Sequence, residues 1–206
     1  MKHTGESINL TDESKLIAII GSRNASQDEL SVAFQLAKKL ATKGYIIVSG
    51  LALGIDASGH KGAIAGGGKT VAIVNTPIDQ DIYPWQNRQL AKEIEQNGCI
   101  VYPFDNKCRE DKSERPSHFT KRLLERDRLV ASMCSKIVAV SDNEVIEGGT
   151  RYAVKYGLEY GKDVFRLDSN GKFHKNPKHK YCAISWDTEL TFKKGECKWL
   201  IKKTRY

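Results

Sequence analysis

The chain lacks any uninterrupted apolar run of the length that crosses a membrane, about 18 to 20 residues. Its first residues, MKHTGESINLTDESK, are polar and contain no apolar segment of the kind found in secretory signal peptides. We therefore expect a cytoplasmic protein without a membrane partner.

Cysteine is scarce, with five residues, an odd number, and no Cys-x-x-Cys pair. This spacing argues against both a disulfide framework and a zinc knuckle. Cys99 and Cys134 lie in apolar segments, where a thiol packs as a small core residue. Four residues near the C-terminus are of zinc-ligand type but match no common finger spacing: His174, His179, Cys182 and Cys197. We expect no metal ion and no cofactor.

Acidic residues are few in the C-terminal part. From Arg166 to the end, 11 Lys and Arg face 4 Asp and Glu, in a chain of formal charge +8. A basic segment joined to a nearly neutral domain indicates a polyanionic partner, usually nucleic acid. The alternatives are lysines that only solubilise an appendage, or a tail that contacts a protein. Aromatic residues among these lysines either stack bases or form a small core: Tyr181, Trp186, Trp199 and Tyr206.

What the chain does contain is an alternation of apolar, β-rich runs with segments of helical character. The runs predict about six strands, at 16–20, 45–49, 70–74, 99–102, 136–140 and 164–167. The segments between them predict helices after the capping-box residue Ser26, and at 55–66, 85–96, 120–133 and 150–160. Strands joined by helical crossovers build a doubly wound, mostly parallel α/β sheet with helices on both faces.

The segments outside this alternation predict the domain boundaries. We expect a polar N-terminal tail at 1–15, the α/β domain at 16–167 and a small basic C-terminal appendage at 168–206. Short alternating runs at 183–186 and 199–202 predict a β-element in the appendage. The polar stretch 105–117 predicts a long surface loop.

Small-residue turns occur where predicted strands meet helices. In VSGLALGIDASGH, residues 48–60, a strand passes through a short loop into a helix. Similar turns are Gly21-Ser22-Arg23 and Gly148-Gly149-Thr150. A parallel sheet places the carboxyl ends of its strands at one edge, where ligands bind. Because amide groups at helix N-termini favour anions, we predict that this edge binds phosphate.

Four strings of the chain carry a more specific pattern: IAIIGSR, SGLALGIDASGHKGAIAGGGKTVAIV, IYPWQN and RDRLVASMCSKIVAVS. Over residues 16–167 they resemble the DNA-processing protein A (DprA/Smf) family of Rossmann-like proteins, whose motifs run in the same order. The resemblance implies a non-catalytic domain that binds single-stranded DNA in DNA uptake, recombination or defence. It also implies a RecA-type recombinase as partner, and a homodimer.

The resemblance also implies which residues meet phosphate. Backbone amides and arginines bind phosphates without reading base sequence. The matching positions are Gly21, Ser22, Arg23, Ser49, Gly50, Gly54, Asp56, Lys69, Asn87, Arg126 and Arg128, and the turn Gly148, Gly149 and Thr150 joins them.

The chain departs from the family pattern in places. Leu53 stands where arginine is usual, so one expected phosphate contact is missing. Asp127 stands where asparagine is usual and adds a negative charge. Asn75 and Pro77 replace glycines that allow close approach of a ligand after the third predicted strand.

Other functions compete with DNA binding. Asp56 and His60 lie four residues apart on one helix face, which suggests a hydrolase, but no Gly-x-Ser-x-Gly elbow is present and structural roles are favoured. Glu147 and the turn that follows it resemble the phosphate turn of LOG-type phosphoribohydrolases, with Arg126 as the second catalytic residue. The glutamate pair of that family is absent. The same pocket could hold a nucleotide or nucleotide-derived signal without any reaction.

Overall fold

The computed structural model describes residues 2–104 and 116–179, together with the backbone of two short strands at 188–190 and 201–203. The strands are β1 (Lys2–Gly5), β2 (Leu16–Gly21), β3 (Ile46–Ser49), β4 (Thr70–Ile73), β5 (Gly98–Tyr102), β6 (Lys136–Val140), β7 (Val145–Ile146), β8 (Asp163–Leu167), β9 (Phe173–Lys175), β10 (Lys178–His179), β11 (Thr188–Leu190) and β12 (Ile201–Lys203). The α-helices are α1 (Gln27–Ala41), α2 (Ile55–Ala65), α3 (Arg88–Asn97), α4 (Pro116–Met133) and α5 (Thr150–Glu159). Short 3₁₀ turns, Glu13–Lys15 and Trp85–Asn87, precede β2 and α3.

Eight strands form the central sheet in the order β1-β5-β4-β3-β2-β6-β8-β9. The inner strands pair in parallel, and the edge strands β1 and β9 are antiparallel to their neighbours. From β2 the chain extends the sheet to one side through β3, β4 and β5, and then to the other side through β6 and β8. The switch point of the sheet therefore lies between β2 and β6, where doubly wound folds bind ligands. The predicted mostly parallel α/β sheet is confirmed.

Strand β2 is buried on both faces, which explains its unbroken apolar sequence. Leu16, Ala18 and Ile20 belong to the core cluster that contains side chains of α4 and α5. The alternate residues Ile17 and Ile19 belong to the cluster that contains side chains of α1. Because successive side chains of a strand point to opposite faces, one sequence supplies the core on both sides.

Helices α1 and α2 pack closely through small residues. Ala33, Ala37 and Ala41 of α1 are buried at this contact. A Cβ atom placed on Gly62 of α2 would lie 2.3 Å from the carbonyl oxygen of Phe34. Only glycine at this position lets the two backbones approach so closely, and α2 is thereby held against the sheet with its N-terminus at the switch-point edge.

The sheet extends into both segments that the sequence analysis set apart as tail and appendage. Lys2–Gly5 pairs with β5, although its polar sequence carries no strand pattern. Beyond Leu167, β9 pairs with β8, and β10 pairs in parallel with β7. The β-structure therefore includes residues on both sides of the predicted domain boundaries at 16 and 167, and the boundaries themselves stay predictions. Of the predicted loop 105–117, residues 105–115 lie outside the described part, and Pro116 and Ser117 belong to α4.

The appendage contains a short antiparallel pair, β11 with β12, in the region where a β-element was predicted. The tail aromatics and cysteines named above, and the run 183–186, lie outside the described residues, so predictions about them stay predictions. In the part of the chain that the structure describes, no helix is long and apolar enough to span a bilayer.

Candidate functional site

The carboxyl ends of β2, β3 and β6 open into a cleft of about 510 Å³ that lies against α4 and the N-terminus of α5. The cleft lies at the switch point of the sheet. Its lining includes residues of all three predicted turns: Gly21, Ser22 and Arg23 after β2, Gly50 after β3, and Gly148, Gly149 and Thr150 at the start of α5. The structure therefore brings together the turns that the sequence analysis expected at one edge.

A buried arginine holds the loop after β3. Arg126 of α4 is only 8% exposed. Its Nη1 donates to the carbonyl oxygen of Gly50 at 3.1 Å, and its Nε and Nη2 both donate to Oδ1 of Asp127, at 3.1 and 2.7 Å. From the other side, Oδ2 of Asp56 accepts from the amides of Gly50 and Ala52 at 3.2 and 3.3 Å. Gly50 is thus fixed through both its carbonyl and its amide.

The charges of this group compensate one another. Burial raises the pKa of Asp56 and that of Asp127, and the positive charge of Arg126 opposes both shifts. Burial also disfavours the guanidinium cation, but Asp127 and Asp56 outweigh it and raise the pKa of Arg126. Asp127, which we expected to weaken the site, is therefore the counter-ion of Arg126.

The N-terminus of α2 does not offer the open amides that the sequence analysis predicted there. The amides of Gly50 and Ala52 donate to Asp56, and the amide of Ile55 donates to the carbonyl oxygen of Ser22 at 3.2 Å. Gly54 has φ +77°, and a Cβ on it would lie 2.2 Å from the oxygen of Ser22. The loop after β3 is therefore bonded to the residues that follow β2, and these amides are not available to a ligand.

The N-terminus of α5 is the more open anion position. A Cβ placed on Gly148 or Gly149 would meet no atom within 4 Å. Gly149 is the N-cap and has no side chain that could accept from the first amides of the helix. Arg23, exposed at the rim of the same cleft, adds a positive charge. A phosphate at this position would meet helix amides and a guanidinium together.

Several predicted site residues lie elsewhere. Lys69 precedes β4 at the opposite edge of the sheet and pairs with Glu6, so its assignment to the cleft edge is wrong. The Nε of Arg128 donates to the hydroxyl of Tyr160 at 2.6 Å, and Arg128 does not line the cleft. The hydroxyl of Ser49 is buried and donates to the carbonyl oxygen of Ile19 at 2.6 Å.

Asn87 holds the cleft loop through hydrogen bonds of its side chain. Its side chain is buried, and its Nδ2 donates to the carbonyl oxygens of Leu51 and Ala52 at 3.0 and 3.1 Å. These two bonds use both hydrogens of the side-chain amide, which leaves none for a ligand. Asn87 therefore positions the loop.

A known protein family matches most of this chain. The family model described as DNA recombination-mediator protein A matches residues 4–182. The chain belongs to this family. Protein Smf of Synechocystis is 30% identical over 154 residues, which is 75% of this chain and 36% of that protein. DNA processing protein DprA of Bacillus subtilis is 28% identical over 158 residues, 77% of this chain and 50% of that protein.

A solved structure supports the same assignment. The structure of DNA processing protein A from Helicobacter pylori, described for its single-stranded DNA binding mode, has a TM-score of 0.66 and 28% identity. The match covers 80% of this chain and 70% of that one. This member of the DNA recombination-mediator protein A family thus has the Rossmann-like domain of its relatives, and it spans between a third and a half of the length of the two curated relatives named here.

A second, smaller cavity of about 50 Å³ lies beside the cleft. Four of its lining residues, Arg23, Ala52, Leu123 and Arg126, also line the cleft. The other four are Leu53, Asn75, Tyr83 and Pro84. Two of the departures from the family pattern, Leu53 and Asn75, therefore line this cavity.

The histidine of the hydrolase alternative is a core residue. His60 is fully buried, and its Nδ1 lies 2.7 Å from Oγ1 of Thr70. Since that hydroxyl donates to the carbonyl oxygen of Ile47 at 2.8 Å, it must accept from His60, which fixes the proton on Nδ1. Burial lowers the pKa of His60 to about 3. Asp56 bonds to the loop amides, so the two residues serve separate structural roles.

The arginine that the phosphoribohydrolase alternative requires is already bonded to other groups of the protein. Glu147 lines the cleft, as that alternative requires. Arg126, the proposed second catalytic residue, is bound to Asp127 and to the carbonyl oxygen of Gly50. Catalysis by this pair is therefore not supported by the geometry.

Part of the cleft lining was not predicted. Ser141 and Asn143 line the cleft because they follow β6, and the strand-end rule that identified the other turns would have found them. Leu123 and Leu124 of α4 also line it, but nothing in their sequence distinguishes them from ordinary core residues.

Proposed function

We propose that this chain binds the backbone of single-stranded DNA in the cleft, as part of DNA processing. The observation that carries the proposal is the convergence of three small-residue turns on one cleft, one of which forms the open N-terminus of α5. The relative from Helicobacter pylori, whose domain has the same fold, is described as binding single-stranded DNA. Contact with a RecA-type recombinase and assembly as a homodimer stay predictions.

The contacts would be to phosphate and not to base edges. Arg23 and the amides of Gly149 and Thr150 recognise negatively charged oxygens, which every nucleotide of a strand carries. The charged residues that line the cleft are two cations, Arg23 and Arg126, and three anions, Asp56, Asp127 and Glu147, so the cleft carries no excess of positive charge. Long-range attraction of DNA therefore has to come from other parts of the chain, such as the basic C-terminal segment.

A matched pair of substitutions tests the proposal. Affinity for a fluorescently labelled oligo-dT is measured by anisotropy at about 50 and 200 mM salt. Arg23→Ala should weaken binding by roughly tenfold at the lower salt, because it removes a charge-assisted hydrogen bond. It should also reduce the slope of log K against log salt by about 0.7.

Lys69→Ala removes the same charge at the opposite edge of the sheet and should change neither quantity. The proposal fails when the wild-type chain shows no binding at low salt, or when the two variants lose affinity equally.

A nucleotide is the second candidate ligand, and the apolar inner wall of the cleft favours it. Ile20, Val130, Val140 and Ile146 line the cleft, and its volume falls within the range of about 300 to 1,000 Å³ typical of small-molecule sites. Thermal stabilisation by a nucleoside monophosphate, without stabilisation by oligo-dT, would favour this ligand over DNA. Release of free base in the same incubation would identify hydrolysis.

A further inference from the structure

We propose that Trp85, with Tyr83 beside it, is a stacking platform for a DNA base next to the cleft. The proposal rests on the proposed function, since it extends the path of the same strand. Trp85 is 68% exposed and Tyr83 is 46% exposed. Both lie in the segment that follows β4, at the carboxyl edge of the sheet where the cleft opens.

The platform adjoins the cleft through Tyr83 and Pro84, the two residues before Trp85, whereas Trp85 itself lines neither cavity. The smaller cavity has Tyr83 and Pro84 on one side and shares Arg23 and Arg126 with the cleft. In the sheet, β4 lies next to β3, which lies next to β2. A strand whose phosphate is held at Arg23 therefore reaches the segment after β4 by continuing along the sheet edge.

The backbone of the turn that carries Trp85 and the ring of Tyr83 are held in place before any ligand arrives. The backbone amide of Asn87 donates to the carbonyl oxygen of Pro84 at 3.0 Å. The side chain of Asn87 ties this turn to the cleft loop, as described above. The amide of Tyr83 donates to Oγ1 of Thr76 at 3.2 Å, and the ring of Tyr83 packs edge-on against Phe119 at 5.4 Å. The turn backbone and the Tyr83 ring, being already fixed, lose little conformational entropy on binding.

The chemistry of the platform selects a base. An indole ring offers a flat π-face, and every base has one, so stacking stabilises a single strand without sequence preference. In duplex DNA the base faces are already stacked on one another. The platform therefore adds a preference for unpaired bases to the phosphate contacts of the cleft.

Two oligonucleotides of equal length separate stacking from phosphate binding. One is labelled oligo-dT, and the other carries the same phosphates on abasic sugars. With the full chain at low salt, Trp85→Ala should weaken binding of oligo-dT about tenfold and leave binding of the abasic strand unchanged. Trp85→Phe, which keeps an aromatic face, should retain most of the affinity. The unchanged abasic affinity also reports that the variant is folded.

Phe173→Ala is the matched control, since Phe173 is an aromatic residue, 48% exposed, on edge strand β9 far from β4. It should bind both strands as the wild type does. The platform is ruled out by a Trp85→Ala variant that binds oligo-dT normally, or that loses both strands equally. In either case binding of oligo-dT by the wild type would leave the proposed function standing. A wild type that binds neither strand overturns both proposals.

Discussion

Arg126 matches a motif that implies a phosphate contact, and yet its charge is compensated inside the protein. Its guanidinium bonds to Gly50 and Asp127, and Asp56 completes the group from the other side of the loop. Such a buried group is stable only while its charges compensate one another. Its role at the cleft is to fix the backbone from which the lining is built.

Replacing Arg126 by methionine should therefore act on stability. The change leaves Asp56 and Asp127 buried without a counter-charge, and we expect the free energy of unfolding to fall by about 3 to 5 kcal/mol. Urea unfolding followed by circular dichroism measures it. Arg128→Met, two residues along the same helix, removes the bond to Tyr160 and a charge interaction with Glu125, both near the surface, and should cost less than about 1 kcal/mol. Equal losses would contradict the assigned role of Arg126.

The sequence was informative about the position of Arg126 but not about its partners. Its motif placed it near the cleft, and the structure finds it there. The bond to Asp127 depends on side-chain conformations on α4, and the bond to Gly50 depends on how α4 packs against the sheet. Neither is encoded in local spacing. Lys69 was assigned to the cleft edge from the family motif alone, although its place directly before the predicted strand 70–74 already put it at the amino end of that strand.

At the level of elements, α2 is held by a row of small residues. Gly62 packs against the carbonyl of Phe34 and the side chain of Ala37 in α1, whereas Gly59 faces Ile19 of β2. The two glycines are both buried, three residues apart in one helix, and differ in the space around them.

Substitution by alanine should separate the two glycines. At Gly59 the new Cβ would lie 3.4 Å from the nearest atom, so Gly59→Ala should be neutral or should stabilise by up to about 1 kcal/mol through helix propensity. At Gly62 it would lie 2.3 Å from a backbone oxygen, so Gly62→Ala should cost about 1 to 3 kcal/mol despite the same propensity gain. Urea unfolding of both variants checks this, and a stabilising Gly62→Ala would show that α1 and α2 can separate freely.

The central elements were predictable because they are buried on both faces. Strand β6 has the predicted bounds, and β2 differs by one residue at its end. The edge strands β1 and β9 escaped prediction, because their side chains are largely exposed and their polar sequences carry no apolar pattern. Their place in the sheet follows from pairing with β5 and β8 across the chain, which local sequence does not report.

For the whole molecule, the positive charge is distributed unevenly. The basic residues from Arg166 onward outnumber the acidic ones by 11 to 4, whereas the cleft lining has two cationic and three acidic residues. This division assigns attraction to the C-terminal segment and positioning to the cleft.

Neutralising five C-terminal lysines tests this division of roles. Glutamine at Lys193, Lys194, Lys198, Lys202 and Lys203 should lower the association rate for oligo-dT more than it raises the dissociation rate, because steering acts on encounter. The slope of log K against log salt should shrink by up to about 3.5 if all five meet phosphates. Stopped-flow anisotropy at several salt concentrations measures both.

The control variant carries glutamine at five exposed lysines near or on α1, α2 and α3: Lys38, Lys39, Lys43, Lys61 and Lys92. It loses the same formal charge, so an equal loss in both variants would mean that net charge alone attracts DNA, and no loss in the first would mean that its lysines only solubilise the chain.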